Sequence, residues 1–320
     1  MKLASIVVNG EMLGVFEASP GRLVPLLALG SEYASVRRFI EKGDKALKAA
    51  KAYADDAAAL VLDAQNAVWA PAIPDPSKIL CIALNNSAAD SQLTYRPDFP
   101  VYFPKFPSAL NGHGQPVDLY PHYGLVHPEP ELSVVIGKTA KNVSMENAMD
   151  HVFGYAIFND ITSVGMRKED RFVAEYPIPD GKSGFTPMTE HVVYQGRYKS
   201  ADGFAPMGPY IVHKSAVPDP NNLHVQCWLD DEVLMDDNTS AYHYSIPEVI
   251  FWLSRHATLL PGDVIALGTA LHPDENRRPI SYGNLNQFGE KVIVEIEGLG
   301  RLETPVRRLE TEDPRKAFQR

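Results

Sequence analysis

The chain has 320 residues, 45% of them hydrophobic and 22% charged, and a formal net charge of −10. That length suggests one large domain or two unequal ones, and the composition supports a packed core and excludes a disordered chain. The acidic balance argues against nucleic acid and anionic membranes as partners. The only cysteines, Cys81 and Cys227, lie in the apolar runs ILCIAL and VQCWL. Two are too few for a disulfide framework, so they are expected to pack inside a chain kept in a reducing compartment. No signal peptide or membrane-spanning run is seen, which makes the cytoplasm the expected location.

In chain order, ASIVV and MLGVFE read as short strands joined by the turn pair Asn9-Gly10, a hairpin over 3–16. Residues 31–66 read as helical from the spacing of Tyr33, Val36, Phe39 and Ile40, with Gly43-Asp44 ending one helix and starting the next. The prolines of WAPAIPDPSK predict a boundary between a small N-terminal α+β domain, 1–75, and a larger domain, 76–320. Beyond it, short β-type runs dominate: 79–84, 132–136, 155–158, 210–212, 225–229, 264–267 and 292–296. Helices are expected over about 246–255, where Ser245 and Glu248 form a capping box, and briefly after Ser144, with Glu146 in its first turn. Strands not separated by long helices point to a β-rich α+β fold, closed or sandwiched, and away from a doubly wound parallel sheet.

The stretch HPEPELSVVIGK, 127–138, carries the first chemical signal. On an extended chain residues i and i+2 share a face, so Glu129 and Glu131 project together, and Pro130 favours that geometry at the start or edge of a strand. Two carboxylates so close need a cation or a shared proton. Taken alone, a solvated pair at a strand end is the simpler reading. GYAIFND then ends another apolar strand on Asp160. Three carboxylates make an all-oxygen site suited to Mg²⁺, Mn²⁺ or Ca²⁺ better than to zinc.

Six segments, in order, resemble those of the fumarylacetoacetate hydrolase family: LCIALNN, PVYFPKFPSAL, EPELSVVIGK, GYAIFNDIT, KSADGFAPMGPYIV and LLPGDVIALGT. They cover most of Ile79 to Val306, while 1–75 resembles the family's variable extra domain only loosely. The resemblance implies a mixed, rolled β-sheet core and a homodimer. It implies one Mg²⁺ or Mn²⁺ held by Glu129, Glu131 and Asp160. It implies hydrolysis of a C–C bond in a small 1,3-dicarbonyl or oxo-acid, such as an acylpyruvate, through an enolate that the metal stabilises. Decarboxylation, hydration or keto–enol isomerisation of a 2-oxo acid at the same site is the alternative, and an inactive metal-binding member a second one. Lys199 matches the family's active-site lysine, Thr269 with Gly268 a substrate-holding turn, and Lys105 a lysine of the pocket or its frame. Arg167 stands where the family often has a glutamine, and either grips a substrate carboxylate or faces solvent.

The sequence also departs from the family. Hydrolytic members carry a water-activating histidine and glutamate on a lid. Counting from Asn85 and Asn86, those positions hold Ala89 and Gln92. Candidate replacements are His113, His122, Tyr123 and above all His127, two residues before Glu129; Asp90 reads as an ordinary loop acid. Arg277 and Arg278, in the divergent PDENRRPI loop, either bind an anion or face solvent.

Overall fold

The structure is a computed structural model that describes residues 1–54, 61–91, 93–274, 280–311 and 313. Gln92, Arg277, Arg278 and the 55–60 stretch of the expected helical segment lie outside the described residues.

The N-terminal hairpin forms as its turn chemistry requires. Lys2–Val8 pairs with Glu11–Ser19, and Asn9 and Gly10 both take positive φ, 52° and 82°, the conformation a two-residue hairpin turn needs. This hairpin is part of a large mixed sheet. Its neighbours run in the order Arg22–Pro25, Glu11–Ser19, Lys2–Val8, Ala205–His213, Val152–Asn159, Pro130–Ile136, Val264–Thr269, Ile79–Ile82 and Tyr102–Lys105. Every pair in that run is antiparallel except the parallel pair Ile79–Ile82 with Val264–Thr269. The sheet is continuous across residue 75, because Leu3 pairs with Ile211.

Alternation along the strands feeds two cores. Leu132, Val134 and Ile136 face a core shared with the helix Ile246–His256 and a five-stranded sheet containing His224–Leu229 and Lys291–Ile296. Val135 faces the opposite core, where Phe39, Ile40, Ala46 and Ala50 of the helices Val36–Glu41 and Asp44–Ala54 cover Leu3, Phe16 and Phe158. The Ser245–Glu248 capping box is present. The buried Asp263 carboxylate fastens the 71–78 segment, accepting from Ser77 Oγ at 2.5 Å, Lys78 N at 3.2 Å and Lys78 Nζ at 2.5 Å. Among the described residues no helix is long and apolar enough to cross a membrane.

Two local expectations change, and one unassigned segment takes a form. Residues 61–66 are not helical: Leu62 pairs with Leu23 at the sheet edge and Ala64–Asn66 is one 3₁₀ turn. After Ser144 there is only a turn and the 3₁₀ segment Ala148–His151, because Val152 already opens the next buried strand. The segment between Arg167 and Lys199, unassigned from sequence, forms a long hairpin, Arg171–Pro179 with Phe185–Val193.

Candidate metal centre

The sheet order brings one end of several strands together. Pro130 opens a central strand and lies opposite Asn159, while Glu131 lies opposite Phe158 on one side and Thr269 on the other. The proline thus marks a strand start, the option compatible with a central position. Two hydrogen bonds stitch the acid-bearing corners: Glu129 N to Asn159 Oδ1 at 3.0 Å and Asp160 N to Glu129 O at 2.9 Å. Glu129, Glu131 and Asp160 each offer a carboxylate oxygen within 4.8 Å of the others. The expected triad is therefore assembled by strand register.

Two lysines balance it in part. Lys105 Nζ lies 2.5 Å from Asp160 Oδ1. Lys199 Nζ lies 2.6 Å from Asp160 Oδ2 and 3.1 Å from each Glu129 oxygen. Thr162 Oγ1 is 2.6 Å from Glu129 Oε1. Glu131 has no ammonium partner among the described residues; its Oε2 accepts from Gly268 N at 2.8 Å. Gly268 is at φ +90°, and a Cβ there would sit 3.2 Å from both Asn85 Cβ and Ile82 O, so only glycine presents this N–H without strain.

Charge follows from these contacts. Burial, then the neighbouring Asp160 and Glu129, push the Glu131 carboxyl well above its ordinary value. Burial also works against the Asp160 charge, but Lys105 and Lys199 outweigh it and hold that carboxyl low. For Lys199 burial opposes the charge, and Asp160 and Glu129 overcome it and raise the ammonium's pKa. With all three carboxyls ionised, two ammonium groups leave one negative charge uncompensated in a buried place, the charge that the raised Glu131 carboxyl resists in the absence of a cation. That deficit and the all-oxygen donor set fit a divalent cation.

A cavity of about 220 Å³ opens over the cluster, lined by Asn86, Arg167, Gln195, Tyr198, Lys199 and Thr269 beside the three acids. Arg167 projects from the short helix Val164–Glu169, capped by Ser163 Oγ on Met166 N at 3.0 Å. Its guanidinium has no hydrogen bond or ion pair with any described residue, and neither do the Gln195 amide or the Tyr198 and Thr269 hydroxyls. Several unpaired polar groups thus converge on one hollow.

The remaining expected residues separate. Lys105, expected in the pocket or its frame, is fully buried against Asp160 and is not part of the cavity lining; it frames an acid of the cluster. His127 is buried just beside the lining, with Nδ1 3.1 Å from Pro128 O and Nε2 3.8 Å from Glu129 Oε1. His113 accepts from Glu303 N and stacks edge-on against Trp69, and His122 packs against Tyr120 and Tyr123; none of these lines the cavity. Asp90 is exposed and pairs with Arg96 at 2.5 Å. Ala89 is buried, its N–H donating to Asn86 Oδ1, while Asn86 Nδ2 donates to Thr269 O. Both cysteines are buried and free, and burial raises both thiols. Thr162, Gln195 and Tyr198 went unread in the sequence. Thr162 had a usable signal, since it follows Asp160 by two residues, and Tyr198 adjoins Lys199.

The chain is similar to known proteins over most of its length. The model of the fumarylacetoacetate (FAA) hydrolase C-terminal family matches residues 78–307. The chain is 30% identical over 317 residues to oxaloacetate tautomerase YisK of Bacillus subtilis, covering 95% of this chain and 93% of that one. It is 31% identical over 272 residues to the mitochondrial oxaloacetate tautomerase fahd2 of Xenopus laevis, covering 85% of this chain and 78% of that protein. Maleylpyruvate hydrolase from Sphingobium sp. SYK-6, solved with manganese(II) and pyruvate, matches the fold with a TM-score of 0.73 and 25% identity, over 97% of this chain and 100% of that one.

Proposed function

The chain belongs to the fumarylacetoacetate hydrolase family, and on that premise we propose that it interconverts the keto and enol forms of a small anionic 2-oxo acid, using Mg²⁺ or Mn²⁺ held by Glu129, Glu131 and Asp160. The observation that carries this reading is the pairing, in one cavity, of an acid cluster short of positive charge with the unpaired guanidinium of Arg167. One end suits a cation and the other suits a carboxylate.

The residues then divide the work. Arg167 receives the substrate carboxylate through a two-pronged hydrogen bond. Lys199 Nζ carries fixed positive charge beside the position where an enolate oxygen becomes negative. Lys105 keeps Asp160 ionised, and the Gly268 N–H orients Glu131. The Tyr198 and Thr269 hydroxyls, without a hydrogen bond to any described residue, supply neutral donors at the substrate. When bound, the divalent ion adds Lewis-acid stabilisation of charge on the oxo oxygen. The net change is one proton lost from the enol hydroxyl and one gained at the adjacent carbon, so no bond between heavy atoms has to break.

Enol–keto interconversion stands ahead of C–C hydrolysis because Ala89 occupies the position where hydrolytic members bear a histidine. Two of the relatives named above, matching 95% and 85% of the chain, are oxaloacetate tautomerases, which supports this order, while the maleylpyruvate hydrolase keeps hydrolysis as the second reading. Hydrolysis of an acylpyruvate is the second reading; His127, with Nε2 3.8 Å from Glu129 Oε1, is the observation in its favour. To test between them, Mn²⁺-loaded protein is given enol-oxaloacetate and acetylpyruvate, and enol absorbance, acid products and carbon dioxide are followed. Catalysed loss of the enol without new acids or carbon dioxide is expected. Two acids from acetylpyruvate would move the assignment to hydrolysis, carbon dioxide would move it to decarboxylation, and no turnover with metal bound would sink an enzymatic role on these substrates.

A further inference from the structure

Beside the cavity over the acid cluster lies a smaller hollow of about 130 Å³, and the two share Ala83 and Leu84 as walls. The edge pair of the large sheet sets their order. Cys81 lies opposite Phe103 and Ile82 opposite Tyr102, and Ala83 N extends the pairing by donating to Val101 O at 2.8 Å. Residues two apart on an extended chain share a face, so Lys105, Phe103 and Val101 follow one another along one side. Lys105 is bonded to Asp160. Phe103 lines the larger cavity, with Lys199 Nζ 5.0 Å from its ring centre. Val101 lines the smaller hollow. One strand face thus leads from the acid cluster to the hollow, which begins about 7 Å beyond Phe103.

The chemistry changes along that path. Leu84, Pro97, Phe99, Val101 and the Tyr244 ring wall the smaller hollow. The charged residue in its wall, Arg96, donates to Leu84 O at 2.7 Å, to Asn86 O at 3.4 Å and to Asp90 Oδ1 at 2.5 Å. The Tyr244 hydroxyl donates to Pro97 O at 2.5 Å. Those polar groups are spent on the chain itself, which leaves the hollow apolar. Leu84, common to both hollows, is held at φ 52° with its side chain 54% exposed. A leucine in that left-handed conformation is an outlier, and strain of this kind collects at ligand sites.

We propose that the smaller hollow receives the apolar end of the substrate, so that the 2-oxo acid taken by this site bears an aryl group on carbon 4 and no carboxylate at that place. The proposal rests on the reading above for the acid end, which Arg167 and the bound ion hold. Continuity favours it, because a group on carbon 4 points along the strand face from Phe103 to Val101. Size favours it, since an apolar cavity of about 150 Å³ takes up benzene. Charge favours it too. A carboxylate in the hollow would leave water and meet, among the described residues of its wall, only a guanidinium already bonded to three oxygens, and burying a charge without a partner is costly.

Titration calorimetry of the Mn²⁺-loaded full-length protein with benzoylpyruvate, acetylpyruvate and oxaloacetate tests this through affinity rather than turnover. Benzoylpyruvate is expected to bind at least about tenfold more tightly than either of the others. Val101→Asp places a charge in the hollow and Val101→Trp fills it. Each is expected to bring the affinities for benzoylpyruvate and acetylpyruvate to within about twofold of one another, by opposite physical means. Equal affinities in the unaltered protein, tighter binding of oxaloacetate, or a benzoylpyruvate advantage that survives both substitutions overturns the proposal. Failure of all three acids to bind overturns it together with the reading of the acid end. New acids or carbon dioxide released from a bound compound would correct the reaction assigned above without altering the affinity ratio, so the two failures are told apart.

Discussion

The carboxylate end of the large sheet and the 171–193 hairpin lie next to each other in the chain and obey opposite physics. At the sheet end, charges are buried and held by partners: Asp160 is 1% exposed and grips two lysines. In the hairpin, the rings of Phe172, Tyr176 and Phe185 are exposed, and among the described residues none of them joins a hydrophobic core. Each arrangement is costly in isolation. A buried charge needs a cation, and an exposed apolar face needs a cover. On the proposed reading the sheet end faces a metal and an anionic substrate, while the hairpin leaves an apolar face in solvent.

The same contrast explains what could be read from sequence. Glu129 and Glu131 announce their shared face by i, i+2 spacing, and Asp160 by its place at the end of an apolar strand. Their meeting depends on Pro130 lying opposite Asn159, a register that short-range pattern does not specify. The role of Lys105 was hidden more deeply. Its partner lies 55 residues away, and the contact exists only because Tyr102–Lys105 and Val152–Asn159 end on the same side of the sheet. The hairpin was hidden for another reason. Phe172, Ala174, Tyr176 and Ile178 alternate as a strand should, but Pro177, Pro179 and Pro187 read as breakers. They are breakers inside a sheet; in a two-stranded hairpin both strands are edges, and a proline can turn its missing N–H outward.

The sharpest way to break the comparison is to remove one charge from the buried end. Lys105→Met leaves the buried Asp160 with one ammonium group instead of two. Deleting one partner of a buried ion pair costs about 3–5 kcal/mol, and urea unfolding of the metal-free protein should show a loss of that order. Phe172→Ser in the hairpin should cost less than about 0.5 kcal/mol by the same measurement. Equal losses would mean that the hairpin is part of the core after all.

Glu131→Gln sharpens the comparison from the other side. Glu131 is the one acid of the cluster without a lysine, and its carboxyl sits well above the ordinary range because of burial and its acidic neighbours. Its charge therefore opposes folding and serves only a ligand. The variant should lose about 100-fold in Mn²⁺ affinity by calorimetry, while the metal-free fold keeps or gains stability. A metal-free fold that weakens would mean that Glu131 holds the structure as well.

The smallest effect concerns pH, and it separates the cluster from an unrelated histidine. Glu131 has a folded pKa above the usual 4.5. Its contribution is therefore fully present below 4.5 and is lost as pH rises through the folded value, so acid stabilises the metal-free fold through this group. His113 has the opposite sign. Burial lowers its pKa below 6.5, so as pH falls under 6.5 the unfolded chain binds a proton that the folded chain refuses. Stability then declines until the folded value is reached. Burial lowers His213 likewise. Acid loss that begins just below pH 6.5 thus belongs to the histidines and is partly masked by Glu131. Asp160, held below its usual 3.8, loses its contribution only in stronger acid. His113→Asn, which keeps an acceptor for the Glu303 N–H, should flatten the decline in urea midpoint below pH 6.5, and Glu131→Gln should steepen it. If both variants shift the curve in the same direction, the carboxylate cluster and the histidine are not the independent groups that their positions imply.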